Sequence, residues 1–198
     1  VPDSVLSKAE QQGEHMAQEQ PDGRVMVELV DPQGNTIGLA EKLEAHQPPG
    51  LLHRAFSVFL LDEQGRVLMQ RRALTKYHSP GRWSNTCCSH PFPGEEPRDA
   101  VLRRLTEELG AKPTVLEPAG LVTYDVTDEV SGLVEKEFNH LFVGLVGGEL
   151  GLNAEEVDDV AYVPLDELDA WLAEHDHTAW LSAVLEPVRA PLAALAAR

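Results

Sequence analysis

The apolar positions of this chain fall into short runs separated by turn residues, and their period changes along its length. Val25-Met26-Val27-Glu28-Leu29-Val30 predicts a strand, and Asp31-Pro32-Gln33-Gly34-Asn35 a turn after it. Alanine, glutamate and lysine around Glu41 to Ala45 predict a short helical segment carrying Lys42 and His46. Arg54 to Leu61 and Val67 to Arg71 flank Asp62-Glu63-Gln64-Gly65 and read as a hairpin. A long loop rich in Pro, Gly, Ser and Asn runs from Arg72 to Glu96, and a loop that long inside a compact domain is expected to carry function. Val101, Leu105 and Leu109 then recur every four residues, the spacing of one helical face, on a helix from Pro97 to Leu109 that Gly110 and Pro113 stop. Val115 to Val126, Leu133 to Val146 and Val160 to Val163 read as strands, and Leu165 to Ala173 and Ala179 to Val188 as helices before an alanine-rich tail. The expected architecture is a single α+β domain over residues 25–198, a mixed and largely antiparallel sheet flanked by helices. The polar stretch 1–24 is expected to be a disordered N-terminal extension.

Composition narrows the function. A chain of 198 residues with 42% hydrophobic content can bury one substantial core. Its apolar runs are far shorter than the roughly 20 residues that span a bilayer. The first two dozen residues carry no apolar signal region, so the expected location is cytoplasmic, although a processed organelle protein would look the same. The formal net charge of -17 argues against nucleic acid or an anionic membrane as partner. Against that background, eight of the sixteen Lys and Arg residues lie between Arg66 and Arg104, with only three acids among them. Such a local basic excess suits a pocket for a small anion; a solvated charged face is the plainer reading. The two cysteines, Cys87 and Cys88, are adjacent, and a bridge between neighbours would staple nothing distant. Two free thiols are expected, and the surrounding cations predict that a reactive one would be held toward thiolate.

Candidate chemistry gathers around Asn85-Thr86-Cys87-Cys88-Ser89-His90-Pro91, which sets a thiol and an imidazole two residues apart. Glu135 and Glu137 share one face of an expected strand by its period of two. His46, His53 and His90 lie on three separate segments that only folding could bring together; with the two glutamates they would make an N,O ligand shell suited to Zn²⁺, Mn²⁺ or Fe²⁺ rather than Ca²⁺. His15, His78, His140, His175 and His177 are read as ordinary surface or core histidines. The helix end Arg103-Arg104-Leu105-Thr106-Glu107-Glu108-Leu109-Gly110, with Glu95 before it, follows the spacing of the Nudix box, in which glutamates bind Mg²⁺ on a diphosphate. Ser89 stands where that pattern begins with glycine, and Arg104 where it has a metal-binding glutamate. A missing carboxylate weakens the metal cluster that activates water, whereas an arginine there can bind phosphate oxygens.

These segments together resemble type 1 isopentenyl-diphosphate isomerase, a branch of the Nudix superfamily. The resemblance covers roughly Val25 to Leu185. It is carried by Leu39-Ala40-Glu41-Lys42 through His46, Leu52-His53-Arg54-Ala55-Phe56-Ser57, Gln70-Arg71-Arg72-Ala73-Leu74-Thr75-Lys76, Pro80 through Pro91, Val134-Glu135-Lys136-Glu137 and Thr178-Ala179-Trp180. It implies a Nudix-like fold and an isomerase that interconverts isopentenyl and dimethylallyl diphosphates through a tertiary carbocation. By position it makes His46, His53, His90, Glu135 and Glu137 ligands of a divalent metal, Mn²⁺ or Zn²⁺, and gives Glu108 the Mg²⁺ that accompanies the diphosphate. Lys42, Arg72, Lys76 and Arg104 would contact phosphate oxygens. Cys88 and Glu137 would act on opposite faces of the substrate, with Tyr124 orienting the carboxylate and Trp180 offering its indole face to the cation. Cys87 would be structural. The competing readings are a Nudix pyrophosphohydrolase acting on a nucleotide-type diphosphate and a non-catalytic metal-binding or interaction module.

Overall fold

The computed structural model describes residues 24–198, so the expectation of disorder over 1–24 concerns, apart from Arg24, residues outside it. Its centre is strand β3 (His53–Leu61), whose residues beyond Arg54 are all buried. Its side chains alternate strictly: Phe59 and Leu61 enter one core, while Phe56, Val58 and Leu60 enter another on the opposite face. A strand covered on both faces has no polar side to show, which explains its continuous apolar run. Helix α2 (Pro97–Leu109) covers the second face with Ala100, Val101, Leu105 and Leu109. Helix α4 (Leu181–Ala196) covers the first with Leu181, Val184, Leu185, Val188, Leu192 and Leu195, joined by Leu168 of α3 (Leu168–Ala173).

The sheet is mixed and mostly antiparallel. Along one edge, β3 pairs in parallel with β8 (Val134–Val146) from His53↔Glu137 to Leu61↔Leu145. Its other edge is shared by three partners: β1 (Met26–Val30) at His53, β6 (Cys87–Ser89) at Phe56 to Val58, and β4 (Arg66–Arg72) at Leu61. Strand β7 (Pro113–Thr127) runs antiparallel to β8, and β9 (Val157–Pro164) and the two-residue β5 (Trp83–Ser84) pair with β4. Among the described residues no helix is long and apolar enough to cross a membrane.

Three features depart from the sequence reading. Thr36–Glu41, expected to lie between a turn and a helix, is strand β2, in register with β1 from Met26↔Glu41; the helix after it is α1 (Lys42–His46). The expected long loop contains β5 and β6, so Cys87 and Cys88 sit on a strand rather than in irregular chain. Helix α4 runs on to Ala196 despite Pro187 and Pro191. Pro187 is exposed and Pro191 partly so, and the carbonyls they free can turn to water while Val188, Leu192 and Leu195 stay packed on the sheet.

Candidate active site

Strand register brings the ligand-type side chains together. His53 begins β3 directly opposite Glu137 of β8, and β6 ends at Ser89, opposite Phe56, so His90 follows beside the start of β3. His46 closes α1, and Glu135 lies two residues before Glu137 on the same face of β8. One ligand atom from each of His46, His53, His90, Glu135 and Glu137 lies within 4.8 Å of all the others. His46 Nδ1 is 2.6 Å from the Lys42 carbonyl and His53 Nδ1 2.7 Å from that of Leu51. Each Nδ1–H therefore donates outward and each Nε2 lone pair faces the cluster, the arrangement in which imidazoles ligate metals. His53 Nε2 and His90 Nε2 approach to 3.1 Å, and His90 Nε2 lies 3.0 Å from Glu137 Oε1. Burial pushes His90 down to about 3, which keeps its imidazole neutral. Three inward nitrogens and two carboxylates fit a transition metal or Zn²⁺.

Glu137 is held at both oxygens. Its Oε1 faces the histidines, while Oε2 accepts a short hydrogen bond from the Tyr124 hydroxyl and another, at 2.9 Å, from Asn139 Nδ2. Tyr124 reaches it because the β7–β8 ladder pairs Tyr124 with Glu137. Burial alone would raise this carboxyl, but His53 and His90 outweigh that and hold it well below the carboxylate range.

Beside the cluster opens a cleft lined by Lys42, Arg72, Lys76, Arg104, Glu108, Cys88, Tyr124 and Trp180. Of the residues to which the resemblance gives catalytic, substrate or metal roles, only His53 does not line the cleft; it is fully buried in the cluster. Burial and then the neighbouring charges of Arg104 and Arg72 depress the Lys42 ammonium, the mark of cations crowded around a space for an anion. Arg104 contacts Glu108 at 2.5 Å and Glu107 at 2.8 Å, and Gln70 donates to Glu108 at 2.8 Å. Glu108 is buried but stands outside the five-ligand group, so Mg²⁺ there would take the rest of its shell from phosphate oxygens and water. Elsewhere in the box motif, Arg103 grips Glu95 through two bonds of 2.8 Å and so fastens the loop to α2.

The period of two separates the cysteines. Cys87 points into the core beneath α2, as expected of a structural residue, and Cys88 into the cleft; both are free. The expectation of a thiolate is not met. Burial pushes Cys88 up to about 12; Arg72 opposes this, but Glu108, Glu137 and Glu135 add to it. The thiol at rest is protonated. Trp180 is 3% exposed, its ring 5.4 Å from the Arg72 guanidinium and 5.3 Å from the His78 ring.

Sequence reasoning missed several members of the site. His78, read as an ordinary histidine, is buried with Nδ1 3.0 Å from Glu135 Oε1. Glu156 takes a short contact from Lys76 and lies 3.4 Å from Arg104. Asn139 was discoverable, because it continues the same face of β8 after Glu135 and Glu137.

Residues 51–184 match the NUDIX domain. A Streptomyces avermitilis protein named isopentenyl-diphosphate Delta-isomerase is 59% identical over 165 residues, covering 83% of this chain and 84% of its own length. This chain belongs to the type 1 isopentenyl-diphosphate isomerase branch of the Nudix family. A relative in Aromatoleum aromaticum, isopentenyl-diphosphate Delta-isomerase 2, is 48% identical over 81% of this chain and 84% of its own. The fold is also shared with more distant structures. A solved Deinococcus radiodurans protein superposes with a TM-score of 0.62 at 16% identity over 79% of this chain and 94% of its own. The MutT protein of Methanosarcina mazei gives 0.57 at 20% identity, over 71% and 95%. This chain thus keeps the Nudix scaffold, with Arg104 at the position where the box pattern has a carboxylate.

Proposed function

We propose that this enzyme interconverts isopentenyl and dimethylallyl diphosphates by protonation and deprotonation, with Cys88 and Glu137 as the two proton-transfer groups. One observation carries the reading: a thiol and a metal-cluster carboxylate open into the same cleft, from strands on opposite edges of β3, beside four cations. Cys88 lies opposite Ser57 and Glu137 opposite His53, so the two groups reach the cleft from opposite edges of β3 and from points four residues apart along it. Lys42, Arg72, Lys76 and Arg104 would hold the diphosphate, and Glu108 would hold the Mg²⁺ that neutralises its charge.

One group delivers a proton to the terminal methylene of the alkene, whose π electrons form the new C–H bond and leave a tertiary cation. The group across the cleft takes a proton from the adjacent methylene, and that C–H pair becomes the new double bond. The reverse reaction exchanges the roles. The buried Trp180 indole faces the cation, an interaction worth about 2 kcal/mol or more when desolvated. The chemistry also requires that water be kept from the cleft, because water would trap the cation as an alcohol. His46, His53, His90, Glu135 and Glu137 would hold Mn²⁺ or Zn²⁺, which when bound supplies positive charge that orients and tunes the Glu137 carboxylate. Tyr124 and Asn139 fix that carboxylate from its other oxygen.

Proton and phosphorus NMR of the purified protein with isopentenyl diphosphate and Mg²⁺ test this. Dimethylallyl diphosphate with its diphosphate intact is expected. Release of phosphate or a monophosphate instead would make the chain a hydrolase.

A further inference from the structure

We propose that His78 is a positioning residue that joins the metal cluster to the anion clamp, its ring fixing Glu135 and its backbone carbonyl fixing Arg72. The proposal rests on the function proposed above.

The ring is 6% exposed and sits between two carboxylates. Nδ1 lies 3.0 Å from Glu135 Oε1, while the other oxygen, Oε2, lies 3.3 Å from His46 Nε2 on the cluster side. A carboxylate with one oxygen aimed at a metal position still rotates about its last bond; a donor on the second oxygen sets its plane. On the far side of the ring, Nε2 is 3.5 Å from Asp128 Oδ2. Asp128 is fully buried and accepts from the Ser131 hydroxyl at 2.7 Å, so the ring is backed by a carboxylate that is itself tied down. Trp180 packs against the ring, 5.3 Å between centroids.

The carbonyl of the same residue accepts from Arg72 Nε at 3.2 Å and Nη2 at 2.9 Å. This grip holds the guanidinium beside Trp180 in the anion cleft. The next residue, Ser79, has φ 45, a left-handed conformation rare outside glycine, and Gly81 follows at φ 69. Unusual backbone of this kind persists where the surroundings over-determine it, and here it turns one residue toward both halves of the site.

Substitution separates the two functions, since any residue at 78 keeps its carbonyl. Mn²⁺ affinity of the full chain, measured by electron paramagnetic resonance, is compared for the parent, His78→Ala and His78→Asn, along with thermal stability and steady-state kinetics. His78→Ala is expected to weaken Mn²⁺ binding by roughly ten- to hundredfold. It should lower kcat and leave KM for the diphosphate within about twofold, because Arg72 keeps its partner. His78→Asn, whose amide nitrogen can stand near the lost Nδ1, should recover most of the Mn²⁺ affinity. Parent-like Mn²⁺ binding by His78→Ala would overturn the proposal alone. Equal damage in both variants with a matching loss of thermal stability would reduce His78 to a packing residue. A parent protein that takes up no Mn²⁺ would overturn the metal reading and this proposal with it.

Discussion

His53 and Glu137 occupy the same rung of the parallel β3–β8 ladder, with His53 Nε2 3.7 Å from Glu137 Oε1. This single pairing anchors the site. The rung puts a ligand nitrogen on one strand beside a ligand oxygen on the other, and the antiparallel rung beyond it adds Tyr124. A one-residue slip of β8 would turn Glu135 and Glu137 to the opposite face and bring Lys136 inward. The apolar burial of β3 and β8 forbids that slip, so core packing sets the geometry of the chemistry.

Tyr124→Phe removes one of the two donors on Glu137 Oε2 and leaves Asn139. The carboxylate should lose orientation more than charge. Turnover is expected to fall by roughly ten- to hundredfold, the scale of losses at groups that orient a metal ligand. Steady-state kinetics should place the loss in kcat, and Tyr124→Phe, Asn139→Ala together should lose more than either alone.

Because burial holds Cys88 near about 12, the metal-free protein should react with iodoacetamide slowly at neutral pH. Raising the pH increases the thiolate, so the alkylation rate should climb about tenfold per pH unit from 7 through 10 without levelling. Peptide mass spectrometry distinguishes Cys88 from Cys87. A plateau near the ordinary thiol value, about 8.5, would mean that the thiol is not shielded as the fold indicates.

Much of this was legible in the chain. The two strands flanking Asp62 to Gly65, the four-residue spacing in α2 and the period of two joining Glu135 to Glu137 all carried through to the fold. Strand β2 was hidden because Ile37 and Leu39 remain exposed on an edge strand, where pairing to β1 rather than burial makes the strand. The end of α4 was hidden by Pro187 and Pro191, whose local penalty is outweighed by tertiary packing. His78 and Glu156 carry no local signal. Their roles come from contacts with Glu135, 57 positions on, and with Lys76, 80 positions back, which only the folded sheet creates. Cys88 misled for a related reason: the basic stretch around it was visible, but the burial that raises its thiol, and the glutamates of α2 and β8 that add to it, come only with the fold.

Glu156 occupies the cationic cleft in place of an anion. Burial would raise its carboxyl, yet Lys76 and Arg104 pull it below the ordinary range. Glu156→Gln should therefore release Lys76, while Arg104 keeps Glu107 and Glu108, and tighten inorganic pyrophosphate binding by roughly two- to fivefold, the scale of one partly exposed ion pair. Isothermal titration at neutral pH measures this. The difference should shrink as salt is raised.

A metal bound only by the folded cluster must stabilise the fold. After chelation, adding Mn²⁺ or Zn²⁺ at a hundredfold excess over its Kd should contribute about 2.7 kcal/mol. Calorimetry would register a higher Tm. His46→Ala or Glu135→Gln should abolish most of that increment, whereas Glu107→Gln, on the exposed side of α2, should not.

The most direct test of two-sided proton transfer is turnover in D₂O followed by NMR, with the parent beside Cys88→Ala and Glu137→Gln. The parent should place deuterium in both C5 diphosphates, at the positions where protons are added and removed. Each variant should lose at least ~10²-fold of that exchange, the usual contribution of a positioned acid or base, while keeping its fold. Isomerisation at the parental rate with Cys88 or Glu137 removed would contradict the account.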